Sequence, residues 1–180
     1  MVIKMSTIFT KKNLILLAIL WLITNLFFYF GPWSITTLAK VSGGKSIPDL
    51  MISYDLSTLQ DLFKAYGPTG ISIYKNLQII DFIYPIIYAS LLFGFLVRVQ
   101  TYAKYKFFQS APFLIVFFDY SENFILRYLA SIYPNLTETQ EHLVNLASIC
   151  TLLKWFNIGA TIFVIIIYWL WNILPKKAPQ

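Results

Sequence analysis

The stretch Phe118-Asp119-Tyr120-Ser121-Glu122-Asn123, followed one turn later by Arg127, decides how this chain is read. It lies within residues 107–131, a run that is otherwise apolar and aromatic. At about 1.5 Å per residue, a helix of that length crosses a hydrocarbon core of roughly 30 Å. Each charge near the middle of such a helix costs about 2.5–3.5 kcal/mol, while each Leu, Ile, Phe or Val returns roughly 0.3–0.6 kcal/mol. The apolar neighbours therefore offset Asp119, Glu122 and Arg127 only in part. The helix is expected to turn its polar stripe toward other helices, and ionisable groups at membrane depth mark a functional site.

Outward from that stretch, the composition agrees with a membrane protein. Of 180 residues, 58% are hydrophobic and only 12% charged, about half the charge fraction of a soluble domain. Apolar runs of roughly 18 residues or more recur, which argues against a soluble helical protein. The net charge of +6 does not indicate nucleic acid, because the basic residues sit at the ends of apolar runs. Cys150 is the single cysteine and no CxxC is present, so neither an intrachain disulfide nor thiol redox chemistry is expected.

Residues 13–31, 77–99, 107–131 and 146–173 read as four transmembrane helices. The expected fold is all-α, a polytopic four-helix bundle forming one integral membrane domain over 1–180. The first run follows Lys4, Lys11 and Lys12 and closes at Gly31-Pro32-Trp33. It exceeds a usual signal-peptide core and no small-x-small site follows, so it reads as a retained span. The outer loop, 33–76, contains a short amphipathic helix. Ser57-Thr58-Leu59-Gln60 resembles a capping box with Ser57 at N-cap. Leu59, Leu62, Phe63 and Tyr66 fall on one face, and Gly67-Pro68 stops the helix. This helix is expected on the membrane surface or across the bundle mouth. Thr69 is expected to cap the next helix. Pro85 is expected to kink the second span and free a carbonyl for a neighbour or a ligand.

Basic residues set the orientation. Lys4, Lys11, Lys12, Arg98, Lys104, Lys106, Lys176 and Lys177 flank one side, whereas Lys40, Lys45, Lys64 and Lys75 are spread through the longer loop. The positive-inside rule then places both termini in the cytoplasm.

Other motifs carry no chemistry. Gly43-Gly44-Lys45-Ser46 resembles the end of a phosphate-binding loop, but Ala39 stands where that loop needs glycine. His142, near Glu138 and Glu141, has no second histidine, so no metal site is expected. No cofactor is expected either. Asn135-Leu136-Thr137 is a glycosylation sequon, relevant only in a secretory compartment. Gly94 and Gly159 stand alone without a GxxxG, leaving an oligomer open.

Helical rise converts position into depth. Asp81 and Arg127 lie about 6 Å from the outer ends of their spans, Glu122 and Lys154 about 13 Å, and Asp119 and Asn157 about 18 Å. Because buried charges pair, Glu122 is expected to meet Lys154, and Asp81 to meet Arg127. Asp119 is left deepest, with Asn123 and Asn157 as neutral neighbours. Asp119, Glu122 and Lys154 are the candidate catalytic residues; Asp81, Tyr84, Tyr88, Asn123, Arg127 and Asn157 are the candidate ligand-binding set. Thr151, Lys154, Asn157 and Thr161 recur at helical spacing along one face of the last span.

The strings Gly67-x-x-Gly70-x-x-x-Tyr74, Asp81-x-x-Tyr84-Pro85-x-x-Tyr88, Phe118-Asp119-x-x-Glu122-Asn123, Tyr133-Pro134 and Lys154 resemble a largely uncharacterised family of small four-helix integral membrane proteins. The resemblance covers residues 66–154. It implies four spans and the grouping of these residues, and no activity.

Three functions suit such a cluster. One is a pocket that binds or transforms a lipid-derived or amphipathic small molecule, with Asp119 and Glu122 as acid and base. Another is a proton- or cation-linked transport component. The last is a non-catalytic polar network that sets helix register. Membrane lipid is the expected partner. Serine hydrolysis is not expected, because Ser121 has no histidine within its span.

Overall fold

The structure is a computed structural model that describes residues 5–99 and 106–173, with helices and no strand among them. In chain order these are α1 (Met5–Ile8), α2 (Lys11–Tyr29), α3 (Ile35–Val41), α4 (Leu56–Asp81), α5 (Tyr84–Val99), α6 (Ala111–Ser131) and α7 (Glu141–Ile173). Three 3-10 turns lie at Pro48–Leu50, Lys106–Ser110 and Glu138–Gln140. Lys4, Lys104, Lys176 and Lys177, on which the orientation argument partly rests, fall outside the described residues.

Three helical stretches, Lys11–Tyr29, Leu56–Val99 and Glu138–Ile173, are long and apolar enough to cross a membrane. The chain is thus a candidate multi-pass membrane protein. At 21 residues α6 has the length, but Asp119, Glu122 and Arg127 make it too polar to join that set on composition.

Burial is inverted relative to a soluble bundle. Asp119, Glu122 and Lys154 are 3, 0 and 4% exposed, whereas Phe113, Phe117 and Phe156 are 65, 63 and 70% exposed. Water would disfavour so much exposed apolar surface; lipid tails accept it without penalty. Helix α2 shows the same inversion, with only Leu14, Thr24 and Phe28 buried. It lies against α5, where a Cβ added at Gly94 would come within 2.5 Å of Leu14 Cδ2 and 2.5 Å of Phe9 Cδ1. The isolated glycine therefore serves close packing inside the chain.

Helix α4 begins two residues earlier than the capping-box reading implies. Asp55, not Ser57, is the N-cap: its Oδ1 accepts from the Thr58 amide (2.8 Å) and the Ser57 hydroxyl (2.9 Å). An ionised carboxylate out-competes a hydroxyl for the orphan amides at a helix start. Gly67 interrupts α4 as expected, at φ +57° and ψ −174°, a conformation essentially confined to glycine. Pro68 follows at a helix start, where its missing N–H removes no bond. The restart thus needs no cap from Thr69. Leu59, Leu62, Phe63 and Tyr66 are all buried, joining a core with Leu38, Tyr74, Leu126, Leu129 and Val144. The amphipathic helix therefore turns its apolar face into the bundle.

The second expected span is broken rather than kinked at Pro85. Helix α4 ends at Asp81, α5 starts at Tyr84, and Pro85 is the second residue of the new helix. The carbonyls freed by the break find partners on α6. Phe82 O accepts from the Tyr120 hydroxyl (2.7 Å), and Asp81 O lies 3.5 Å from Asn123 Nδ2. Side chains of a neighbouring helix thus replace the missing intrahelical bonds. Helix α6 packs along α7, and α5 lies against both.

Candidate functional site

The site begins on α7, whose buried face carries Thr151, Lys154 and Thr161. The Lys154 ammonium lies 2.5 Å from Glu122 Oε2 and 4.0 Å from Asp119 Oδ2. Glu122 and Asp119 sit three residues apart on α6, so one cation answers both. The expected pairing of Glu122 with Lys154 is present. Glu122 Oε1 also accepts from the Thr151 hydroxyl (2.5 Å), which lies 3.3 Å from the hydroxyl of Tyr54. Multiple donors are what a buried carboxylate needs to remain in place.

Asp119 is not left over, contrary to the depth argument. Tyr88 donates to its Oδ2 (2.5 Å) and Asn123 Nδ2 donates to its Oδ1 (3.0 Å). The pairing of Asp81 with Arg127 is not formed. Arg127 donates instead to the backbone carbonyl of Lys75 (2.7 Å), and the Asp81 carboxylate has no hydrogen bond or ion pair among the described residues. The long guanidinium reaches a backbone carbonyl inside α4, a contact that depth alone does not anticipate. Asn157 also stays apart. Its amide donates to Leu153 O (2.7 Å) within its own helix.

A cavity of about 370 Å³ opens beside this cluster. Its polar pole is formed by Asp49, Asp81, Asp119 and Lys154, and its apolar walls include Phe28, Leu91, Leu92, Ile158 and Ile162. Tyr84 and Tyr88 line it as well. The Tyr84 hydroxyl accepts from Trp21 Nε1 (2.9 Å) and donates to Asn25 Oδ1 (3.3 Å), which ties α2 to the cavity wall. Glu122 is not among the lining residues; it lies behind Lys154, fully buried. The polar groups thus divide into a layer that grips the helices together, Glu122 with Thr151, and a layer that faces open space.

Asp49 is not singled out by the sequence pattern. The turn Pro48–Leu50 folds it back into the bundle, where Tyr74 donates to its Oδ2 (3.0 Å) and Trp155 Nε1 to its carbonyl (3.2 Å). The only local signal was an acid in a loop between Ile47-Pro48 and Leu50, apolar residues that prefer burial. Its position against α7 depends on chain folding over more than a hundred residues. No group of three metal-ligating side chains forms among the described residues.

No family model, curated protein or solved structure matches this chain.

Proposed function

We propose that this protein is a four-span membrane protein, with both termini cytoplasmic, whose cavity binds a lipid-derived or amphipathic small molecule. The observation that carries the reading is the cavity itself: about 370 Å³ with apolar walls and a carboxylate-lined pole. That volume falls within the roughly 300–1,000 Å³ typical of small-molecule sites. Walls of this kind suit an aliphatic chain, and the pole suits a head that exchanges hydrogen bonds. Rim residues Tyr29, Trp155 and Ile162 are 46, 40 and 43% exposed, which supports entry from the lipid phase.

Helix α6 as a fourth span is supported by its two faces. Phe113, Phe117, Phe124 and Tyr128 lie outward along one stripe, while Asp119, Glu122 and Asn123 are buried opposite. The motif resemblance to small four-helix membrane proteins points the same way. For proton transfer, two of the three carboxylates that line the cavity stand in unlike surroundings: Asp119, bound by Tyr88 and Asn123, and Asp81, without a donor among the described residues. Unlike surroundings push the proton affinities of two acids apart, which acid–base chemistry exploits. In this reading Glu122 and Lys154 hold Asp119 in place and do not themselves contact the ligand's reacting atoms.

The test is to purify wild type and Leu92→Trp, extract each with organic solvent, and identify small molecules by mass spectrometry. An amphiphile carried by wild type and depleted from the cavity-filled variant, with both proteins equally folded, is the expected result. If nothing co-purifies and no added amphiphile raises Tm, the reading fails.

A further inference from the structure

The cavity that holds the amphiphile under the reading above also reports the charge of its head. We infer that the ligand is a cationic amphiphile, an amine whose ammonium group sits among Asp49, Asp81 and Asp119 with its aliphatic part along Leu91, Leu92, Ile158 and Ile162.

Unanswered acids are the first reason. Among the described residues Lys154 is the only cation lining the cavity, and its ammonium already lies 2.5 Å from Glu122. Glu122 and Asp119 thus share that ammonium, and the cavity lining adds Asp49 and Asp81 with no further cation among the described residues. Two of them, Asp49 and Asp81, are more than nine-tenths buried and carry carboxylate oxygens without a donor among the described residues. Among the described residues Asp49, 6% exposed, has Oδ1 without a hydrogen bond, and Asp81, 9% exposed, has no side-chain hydrogen bond or ion pair. A buried acid left alone is strongly disfavoured, and removal of that penalty is a source of ligand affinity. An ammonium brings both the missing charge and the missing N–H donors. A carboxylate or phosphate head would bring the sign already in excess.

The second reason is aromatic. Phe28, Tyr84 and Tyr88 form a connected wall, with ring centroids 5.0 Å apart for Phe28 and Tyr84 and 5.1 Å for Tyr84 and Tyr88. Ring faces beside carboxylates favour an organic cation, which gains from both. A compact inorganic ion needs converging oxygen ligands, and no such group of three forms among the described residues.

The experiment uses the full chain in zwitterionic-lipid nanodiscs and three probes of equal chain length: dodecylamine, dodecanol and dodecanoate. Binding is measured by calorimetry near neutral pH for wild type, Asp81→Asn and Asp49→Asn. Dodecylamine is expected to bind at least about tenfold more tightly than dodecanol, with dodecanoate weakest; each Asn variant is expected to reduce that preference severalfold and leave dodecanol unchanged. Either variant alone suffices if the other does not fold. Equal affinity for amine and alcohol overturns the cationic head while leaving the amphiphile pocket standing. Tightest binding of dodecanoate overturns it in favour of a head read by Lys154. If none of the three binds, the pocket reading falls as well.

Discussion

Lys154 is the residue on which the buried acids converge, and its loss should be felt first as instability. Removing one member of a buried ion pair typically costs about 3–5 kcal/mol, because the partner is left charged and desolvated. Lys154→Met is therefore expected to destabilise the protein by that order, read as a lower Tm in detergent. The double variant with Glu122→Leu should recover part of the loss, since Glu122 is then no longer orphaned and Asp119 keeps Tyr88 and Asn123 as donors. A double variant worse than Lys154→Met alone would show that the pair is not the source of the effect. At the surface, Asp55 behaves differently. The Thr58 side chain and amide, with the Ser57 hydroxyl, hold its carboxyl down at about 2, from an ordinary 3.8. A lowered folded value means that the cap contributes above pH 3.8 and that its contribution disappears as pH falls through about 2. Asp55 is fully exposed, so the effect should be small; Tm of wild type minus that of Asp55→Asn should shrink across that window. A constant difference would argue that the cap does not titrate.

At the scale of the element, two breaks position the site. Gly67 holds α4 in a conformation that a Cβ opposes, so Gly67→Ala is expected to cost about 1–3 kcal/mol, visible as a drop in Tm without loss of cavity binding. An unchanged Tm would mean that α4 can straighten there. The second break, at Phe82-Ile83, is answered by Tyr120, whose hydroxyl donates to Phe82 O (2.7 Å). Tyr120→Phe should cost on the order of 1 kcal/mol, and hydrogen exchange at the start of α5 should accelerate. Slower or unaltered exchange would disconnect Tyr120 from the break. Much of this scale was legible. Gly67-Pro68 announces the first interruption through backbone sterics, and Pro85 announces a kink in span two where the structure has a break. The exact site was not legible, because Pro85 is tolerated as the second residue of a helix as readily as at a kink. The cap was misplaced for a related reason: Asp55 and Ser57 are both good N-caps, and only the geometry shows which side chain meets the Thr58 amide.

For the whole molecule, the question is whether α6 crosses. With Cys150→Ala as background, single cysteines at Gln109 and Thr137 lie beyond the two ends of α6. They are expected to react with a membrane-impermeant maleimide from opposite sides; reaction from the same side would remove the fourth span. The amino-acid order alone determined that the chain is helical, that long apolar stretches dominate it, and that Glu122 and Lys154 stand at similar distances along their helices. Those properties follow from local hydropathy and from a fixed rise per residue. It also made Glu122 and Lys154 natural partners. Only the tertiary structure decided that Arg127 turns to the Lys75 carbonyl, that Asp119 is held by Tyr88, and that Asp49 returns from a distant loop to the cavity. Depth is one coordinate, whereas a partner is chosen by helix rotation, side-chain reach and loop path. Those are settled jointly by packing across the bundle, and no stretch of chain encodes them alone.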